Sequence, residues 1–223
     1  MTNGPEVRLD TTAVSERIAD ARDRIARAGG VGVRLVAVTK THPAEVVAIA
    51  VAAGADAIGE NYAQEIRAKE ASLADARRSG VEVHLIGSLQ SNKVRMVAGH
   101  VDVVQTVDRA SLVAELARRS PAQRVMVQVD ATGETGKGGC PTPGVPALVE
   151  ECRRFGLVVE GLMTVGPTSG EQIATARAFA TTRRLVDDLG LVECSMGMSG
   201  DLEIAVAEGT TMVRLGTALF GPR

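Results

Sequence analysis

Aromatic side chains are nearly missing from this chain, which has no tryptophan, one tyrosine and three phenylalanines among 223 residues. That scarcity argues against an aromatic stacking platform for single-stranded nucleic acid and leaves the core to Val, Leu, Ile, Ala and Met. Net charge is scarce as well. At −2 the chain offers no electrostatic footprint for nucleic acid or an anionic membrane. Cysteines are few and odd in number: Cys140, Cys152 and Cys194 lack C-x-x-C spacing, which argues against a disulfide framework or a zinc site and suits a reducing cytosol. His42, His84 and His100 are scattered without metal-ligand spacing. No run approaches the roughly 20 apolar residues that span a bilayer, and the polar start MTNGPEVRLD lacks the apolar stretch of a signal peptide. The expectation is a soluble, cytoplasmic protein that binds neither nucleic acid, membrane nor metal.

What is present is an alternation of short Val-rich runs with longer amphipathic segments. The runs cover residues 34–38, 55–58, 83–86, 102–105, 124–129, 157–162, 193–195 and 212–215. Each is short, β-branched and bounded by turn signals, so each reads as a buried parallel strand. Helical patterns lie between them, as at 111–119. Another covers 173–189, where Ile173, Ala176, Ala180, Leu185 and Leu189 are expected on the buried side. Val14, Ile18, Ala21 and Ile25 repeat at helical spacing and predict an extra helix before the first strand. Eight strands alternating with helices predict an α/β protein, a single (β/α)8 TIM-type barrel in one domain over 1–223. A doubly wound sheet is the alternative, and the lack of a Gly-x-Gly-x-x-Gly after any strand counts against it.

In such a barrel, chemistry gathers where strands end. Val36, Val38 and Lys40 share one strand face. If that face is the interior, Lys40 caps two apolar layers and its neutral, nucleophilic form is favoured, as a Schiff-base lysine requires. From position alone it reads equally as a lysine reaching for water. Met212, Arg214 and Gly216 share a face of the last strand, which turns Arg214 inward near the top, with Gly216 admitting close approach and Thr217 adding donors. The Gly-rich turn 196–201 precedes a helix, where free N–H groups and Ser199 suit a phosphate. Ser199 or Asp201 can equally serve there as a helix cap. Two resemblances fail on spacing: 133–139 is not a phosphate-binding loop, and 197–200 is not a nucleophile elbow. His42 before Pro43 reads as a helix start, and His84 as a hydrogen-bonded barrel residue.

With these residues assembled, the chain resembles the pyridoxal phosphate homeostasis protein family, relatives of the N-terminal barrel domain of alanine racemase. The matching segments are LVAVTKTHP around Lys40, IGENYAQE at 58–65, HLIGSLQSNK at 84–93 and SMGMSGDLEIAVAEGTTMVRLGTALFG at 195–221. The resemblance implies pyridoxal 5′-phosphate (PLP) as cofactor and Lys40 as its Schiff-base lysine. It also implies Ser199, Gly216 and Thr217 around the phosphate, Arg214 at the pyridine nitrogen and Asn61 near the ring. The loop VDATGETGKGG departs from the family's usual Asn-Thr-Ser-Gly-Glu-type run, which leaves the role of its Lys137 open. A transient hold on the aldehyde and a solvated loop lysine are the two readings.

Three functions compete. A PLP carrier in cofactor homeostasis, without a catalytic residue of its own, is what the resemblance implies. Its partners would be PLP and apo-forms of PLP-dependent enzymes, and the chain would be a monomer or a weak homodimer. An amino-acid racemase needs a second base opposite Lys40, which alanine racemase takes from a further domain. Here the chain stops at Arg223 and its one tyrosine, Tyr62, reads as packing. A phosphosugar-type barrel whose lysine attacks a carbonyl ranks third.

Overall fold

The apolar runs become strands because their side chains are buried on both faces, one toward a barrel axis and one toward a layer of helices. The computed structural model describes residues 10–221. Its strands are β1 (Arg34–Val38), β2 (Ala57–Glu60), β3 (Glu82–Leu85), β4 (Val103–Val107), β5 (Arg124–Asp130), β6 (Cys140–Pro141), β7 (Val158–Thr164), β8 (Glu193–Ser195) and β9 (Met212–Leu215). They run in the order β4-β3-β2-β1-β9-β8-β7-β5, and pairing of β4 with β5 closes the ring. All pairings are parallel, and the two-residue β6 is added outside β5. The result is the eight-stranded TIM-type barrel.

The helices are α1 (Thr11–Arg27), α2 (Glu45–Ala52), α3 (Ala63–Ala68), α4 (Glu70–Arg78), α5 (Val94–Val97), α6 (Ala110–Arg119), α7 (Val145–Arg154), α8 (Gln172–Asp188), α9 (Leu202–Ala207) and α10 (Thr217–Phe220). The extra helix α1 buries Val14, Ile18, Ala21 and Ile25, the four positions expected from their spacing. It packs on α2, α9 and α10, and Arg17 Nη1 donates to the Leu219 carbonyl at 2.8 Å.

The two-residue period of the strands separates two cores. Val36, Ala57, Val103, Met126, Met163 and Met212 fill the barrel interior. Leu35 and Ala37 of the same β1 point outward into the larger core under the helices. Methionine makes up three of these six apolar residues, as suits a narrow, irregular space that aromatic rings do not fill.

The structure corrects the ends of β2, β4 and β7, each two residues later than expected, and the buried face of α8. β2 ends two residues later than expected, because Glu60, an unpromising residue for a buried strand, finds Lys69 and Thr39 as partners. In α8 the buried face carries Thr175, Ala178, Phe179, Thr182 and Val186. Ile173, expected inside, is 62% exposed. Two threonines there bury their hydroxyls by donating to the carbonyl one turn back, Thr175 to Glu171 and Thr182 to Ala178, a device that hydropathy does not register.

Candidate functional site

A cavity of about 570 Å³ opens at the carboxyl ends of the strands. Lys40, Asn61, Ser199, Arg214, Gly216 and Thr217 all line it, so residues up to 177 positions apart in the chain meet in one place. Val38, Ile86, Val165 and Met198 supply its apolar walls.

Each residue is placed by its strand. Lys40 follows β1 on the inward parity of Val36 and Val38. Asn61 follows β2 and is pressed against the end of β3: a Cβ built on Gly87 would lie 2.2 Å from the Asn61 carbonyl oxygen, so only glycine lets the two backbones touch. Arg214 comes from β9. In the turn before α9, Gly197 has φ +96°, and a Cβ there would meet Ala205 Cβ at 2.5 Å. Asp201 precedes α9 without capping it by a side-chain bond. Its Oδ1 instead accepts the Met198 N–H at 2.5 Å and tightens the turn, while the Ser199 carbonyl takes Arg24 Nη2 at 3.2 Å.

Arg214 is buried, 5% exposed. Nη1 donates to Ser195 Oγ at 2.7 Å and Nη2 to the Thr164 carbonyl at 2.8 Å. Burial pushes its pKa down to about 10, with Asp201 opposing the shift. That is lower than an arginine's ordinary value above about 12, because the guanidinium has left water, yet it is still protonated at neutral pH.

From Arg214 a polar chain crosses the barrel. Ser195 Oγ donates to Gln105 Oε1 at 2.8 Å. Gln105 Nε2 lies 2.7 Å from His84 Nδ1, and His84 Nε2 lies 3.0 Å from Glu82 Oε2. Every donor then points the same way, from the guanidinium at the mouth toward the carboxylate at the far end, and His84 carries its proton on Nε2. Glu82 closes the chain inside a row of alternating charges at the strand starts. It pairs with Arg34 and Arg124, which in turn reach Glu193 and Glu160. Hydrogen bonding from His84, helped by Arg124 against the effect of burial, holds the Glu82 carboxyl well below its usual range.

His84 is thus fully buried and bonded on both ring nitrogens, the barrel residue its position predicts. His42 precedes α2 and packs on Phe220, ring centroids 5.2 Å apart. Tyr62 is not the packing residue expected of it: it is 51% exposed at the start of α3. Lys137 lies in a smaller cavity of about 170 Å³ that shares Val165 with the first. Its amine donates to the Gly166 carbonyl at 2.5 Å and pairs with Glu134 at 3.0 Å, so it is tethered and not solvated freely. Sequence reasoning missed the transverse chain altogether. Its signal was inward-facing polar residues, Glu82 and His84 two apart on β3, where aliphatic residues would otherwise stand.

The closed barrel with a lysine after its first strand and a buried arginine on its last defines a protein of the alanine racemase N-terminal type. The family model described as alanine racemase, N-terminal domain matches residues 9–223. The chain is 43% identical to the pyridoxal phosphate homeostasis protein of Pseudomonas aeruginosa over 95% of its own length and 96% of the relative's. It is 42% identical to the protein of that name from Deinococcus radiodurans, covering 95% of this chain and all of the other. It belongs to the pyridoxal phosphate homeostasis protein family. Among solved structures, PipY of Synechococcus elongatus with PLP bound superposes with a TM-score of 0.81 at 34% identity, covering 93% of this chain and 100% of that one. Alanine racemase from Oenococcus oeni shares the fold alone, with a TM-score of 0.72 at 16% identity over 96% of this chain and 63% of that one. The relatives of 36–43% identity carry the name of homeostasis proteins, not of enzymes. Among the described residues no helix is long and apolar enough to cross a membrane, and no group of three or more His, Cys, Asp or Glu is placed to hold a metal.

Proposed function

We propose that this chain binds PLP in the cavity at the barrel mouth, with Lys40 as the Schiff-base lysine, and that it buffers and delivers the cofactor in the cytoplasm. The observation that carries the reading is the convergence of an amine, a guanidinium and a hydroxyl-rich, glycine-rich rim in one cavity. The residues fit the group. Ser199 and Thr217 offer hydroxyls to a phosphate, and Gly200 and Gly216 leave backbone beside it uncovered. Lys40 would hold the aldehyde through its amine, one C=N bond being made as one water leaves, and the bound group would supply the reactive carbonyl. Arg214, fixed by Ser195 and Thr164, would face the pyridine nitrogen as a donor, and Asn61 would flank the ring. A donor there keeps that nitrogen unprotonated, which makes the bound cofactor a weak electron sink. The relatives' name, pyridoxal phosphate homeostasis protein, supports a homeostatic role, and delivery to apo-enzymes is part of this proposal.

Borohydride reduction of the PLP-loaded protein followed by peptide mapping tests the reading. The phosphopyridoxyl mass is expected on Lys40, and finding it only on Lys93 or Lys137 would overturn the assignment.

The racemase reading needs a base opposite Lys40, and positioned acid–base catalysis contributes roughly 10²–10⁴-fold. Tyr62 does not line the cavity. L- and D-alanine are therefore expected to exchange the α-proton slowly with chirality retained. Racemate formed at enzyme-like rates would show that the carrier reading is wrong.

A further inference from the structure

Thr41, the residue after Lys40, has φ 64°, in the left-handed region where a β-branched residue is a steric outlier. Its N–H donates to Glu65 Oε2 at 2.7 Å. On the other side of Lys40, the Thr39 carbonyl accepts from Lys69 Nζ at 2.7 Å, and the Thr39 hydroxyl donates to Glu60 Oε1 at 2.6 Å. Lys69 also donates to Glu60 Oε1 at 2.8 Å and to Glu65 Oε2 at 2.9 Å. One ammonium at the junction of α3 and α4 therefore joins the fastenings on both sides of Lys40.

This cluster lies behind the barrel wall, and none of its members lines the cavity. Glu60 and Lys69 are buried, and Glu60 Oε2 has no hydrogen-bond partner among the described residues. Burial raises the Glu60 pKa against the pull of Lys69 and Thr39. Burial also acts to raise Glu65, but Lys69 and the Thr41 N–H outweigh it and hold that carboxyl below its usual range. Buried ion pairs are a poor source of stability, because desolvation offsets their attraction. Backbone strain persists only where surrounding contacts over-determine it. Here both features flank one lysine.

We propose that Glu65, Lys69 and Glu60 are positioning residues for Lys40: they hold the segment from Thr39 to Thr41, left-handed Thr41 included, so that the Lys40 amine meets the ligand's aldehyde. The inference rests on the reading of Lys40 as the PLP lysine.

Glu65 is the residue to remove, since it is partly exposed, whereas losing Lys69 or Glu60 would strand a buried charge. Glu65→Ala, Thr41→Gly and the double variant are compared with the native chain in two titrations. One follows PLP by the absorbance of its Schiff base. The other uses pyridoxine 5′-phosphate, which carries an alcohol in place of the aldehyde and reports fit without a bond to Lys40. Glu65→Ala is expected to weaken PLP binding about tenfold, the scale on which backbone strain acts, and pyridoxine phosphate binding by less than about twofold. Thr41→Gly should bind close to the native level, because glycine takes a left-handed conformation unaided. In that background Glu65→Ala should cost less than about threefold, a coupling between the two sites.

Equal losses in both backgrounds, or parallel losses for both ligands, would overturn the positioning role. A native chain that binds PLP without a borohydride-trappable bond to Lys40 would overturn the underlying cofactor reading, and this inference with it.

Discussion

Removing the Ser195 hydroxyl should unfasten Arg214 and destabilise the whole barrel. Ser195 is fully buried, its oxygen accepts from Arg214 at 2.7 Å, and its proton goes to Gln105 at 2.8 Å. Ser195→Ala deletes both bonds and creates little cavity. It leaves a guanidinium donor and an amide acceptor facing a methyl group. A bond to a charged group contributes about 1.5–3 kcal/mol and a neutral one about 1 kcal/mol, so the expected loss is about 2.5–4 kcal/mol. That is a large part of the roughly 5–15 kcal/mol that holds a domain together.

Urea unfolding measures it directly, as a lower midpoint at an unchanged slope. In a Gln105→Leu background the same change should cost about 1 kcal/mol less, because the neutral bond is already gone. PLP binding should weaken too, since the guanidinium keeps only its bond to Thr164. A loss below about 0.5 kcal/mol, the range of inconsequential surface changes, would refute the view that the transverse chain carries Arg214.

Three further outcomes follow from the geometry. Ser199→Ala combined with Thr217→Val should weaken PLP binding by more than about tenfold, on two bonds to a charged group, and leave pyridoxal binding nearly unchanged; equal losses for both ligands would remove the phosphate role. Gly87→Ala would set a methyl group 2.2 Å from the Asn61 carbonyl oxygen, so a destabilisation of about 1–3 kcal/mol and weaker PLP binding are expected together, read by urea unfolding and by titration. Glu82 has a folded-state pKa below its ordinary 4.5, so its stabilisation is present above that value and is lost as the pH falls further. Glu82→Gln should therefore be less stable at pH 7 and lose less on acidification, and unfolding curves with equal acid slopes for both proteins would contradict this.

Periodicity in the chain determined the elements. β1, β8 and β9 start and stop where their Val-rich runs predict, and all four buried positions of α1 follow from helical spacing. Strand parity put Lys40 on one face with Val36 and Val38, and Arg214 on one with Met212, because side chains alternate whatever the tertiary context, and the closed barrel made those faces the inward ones. Those are local properties, fixed by a few neighbouring residues.

What the tertiary structure alone decided is which polar residues are buried together. Nothing local ties Glu60 to Glu65 of α3 or to Lys69 at the α3–α4 junction, and only the packing of α3 against the end of β2 brings the three together. Glu82, His84, Gln105, Ser195 and Arg214 are spread over 133 positions, yet they form one hydrogen-bonded path through the barrel. The inner side of α8 went astray for the same reason: hydropathy does not count a threonine whose hydroxyl bonds back to its own helix. A buried polar group is tolerated only when its partner arrives. In this chain the partners come from distant strands, so their pairing exists only once the barrel has closed.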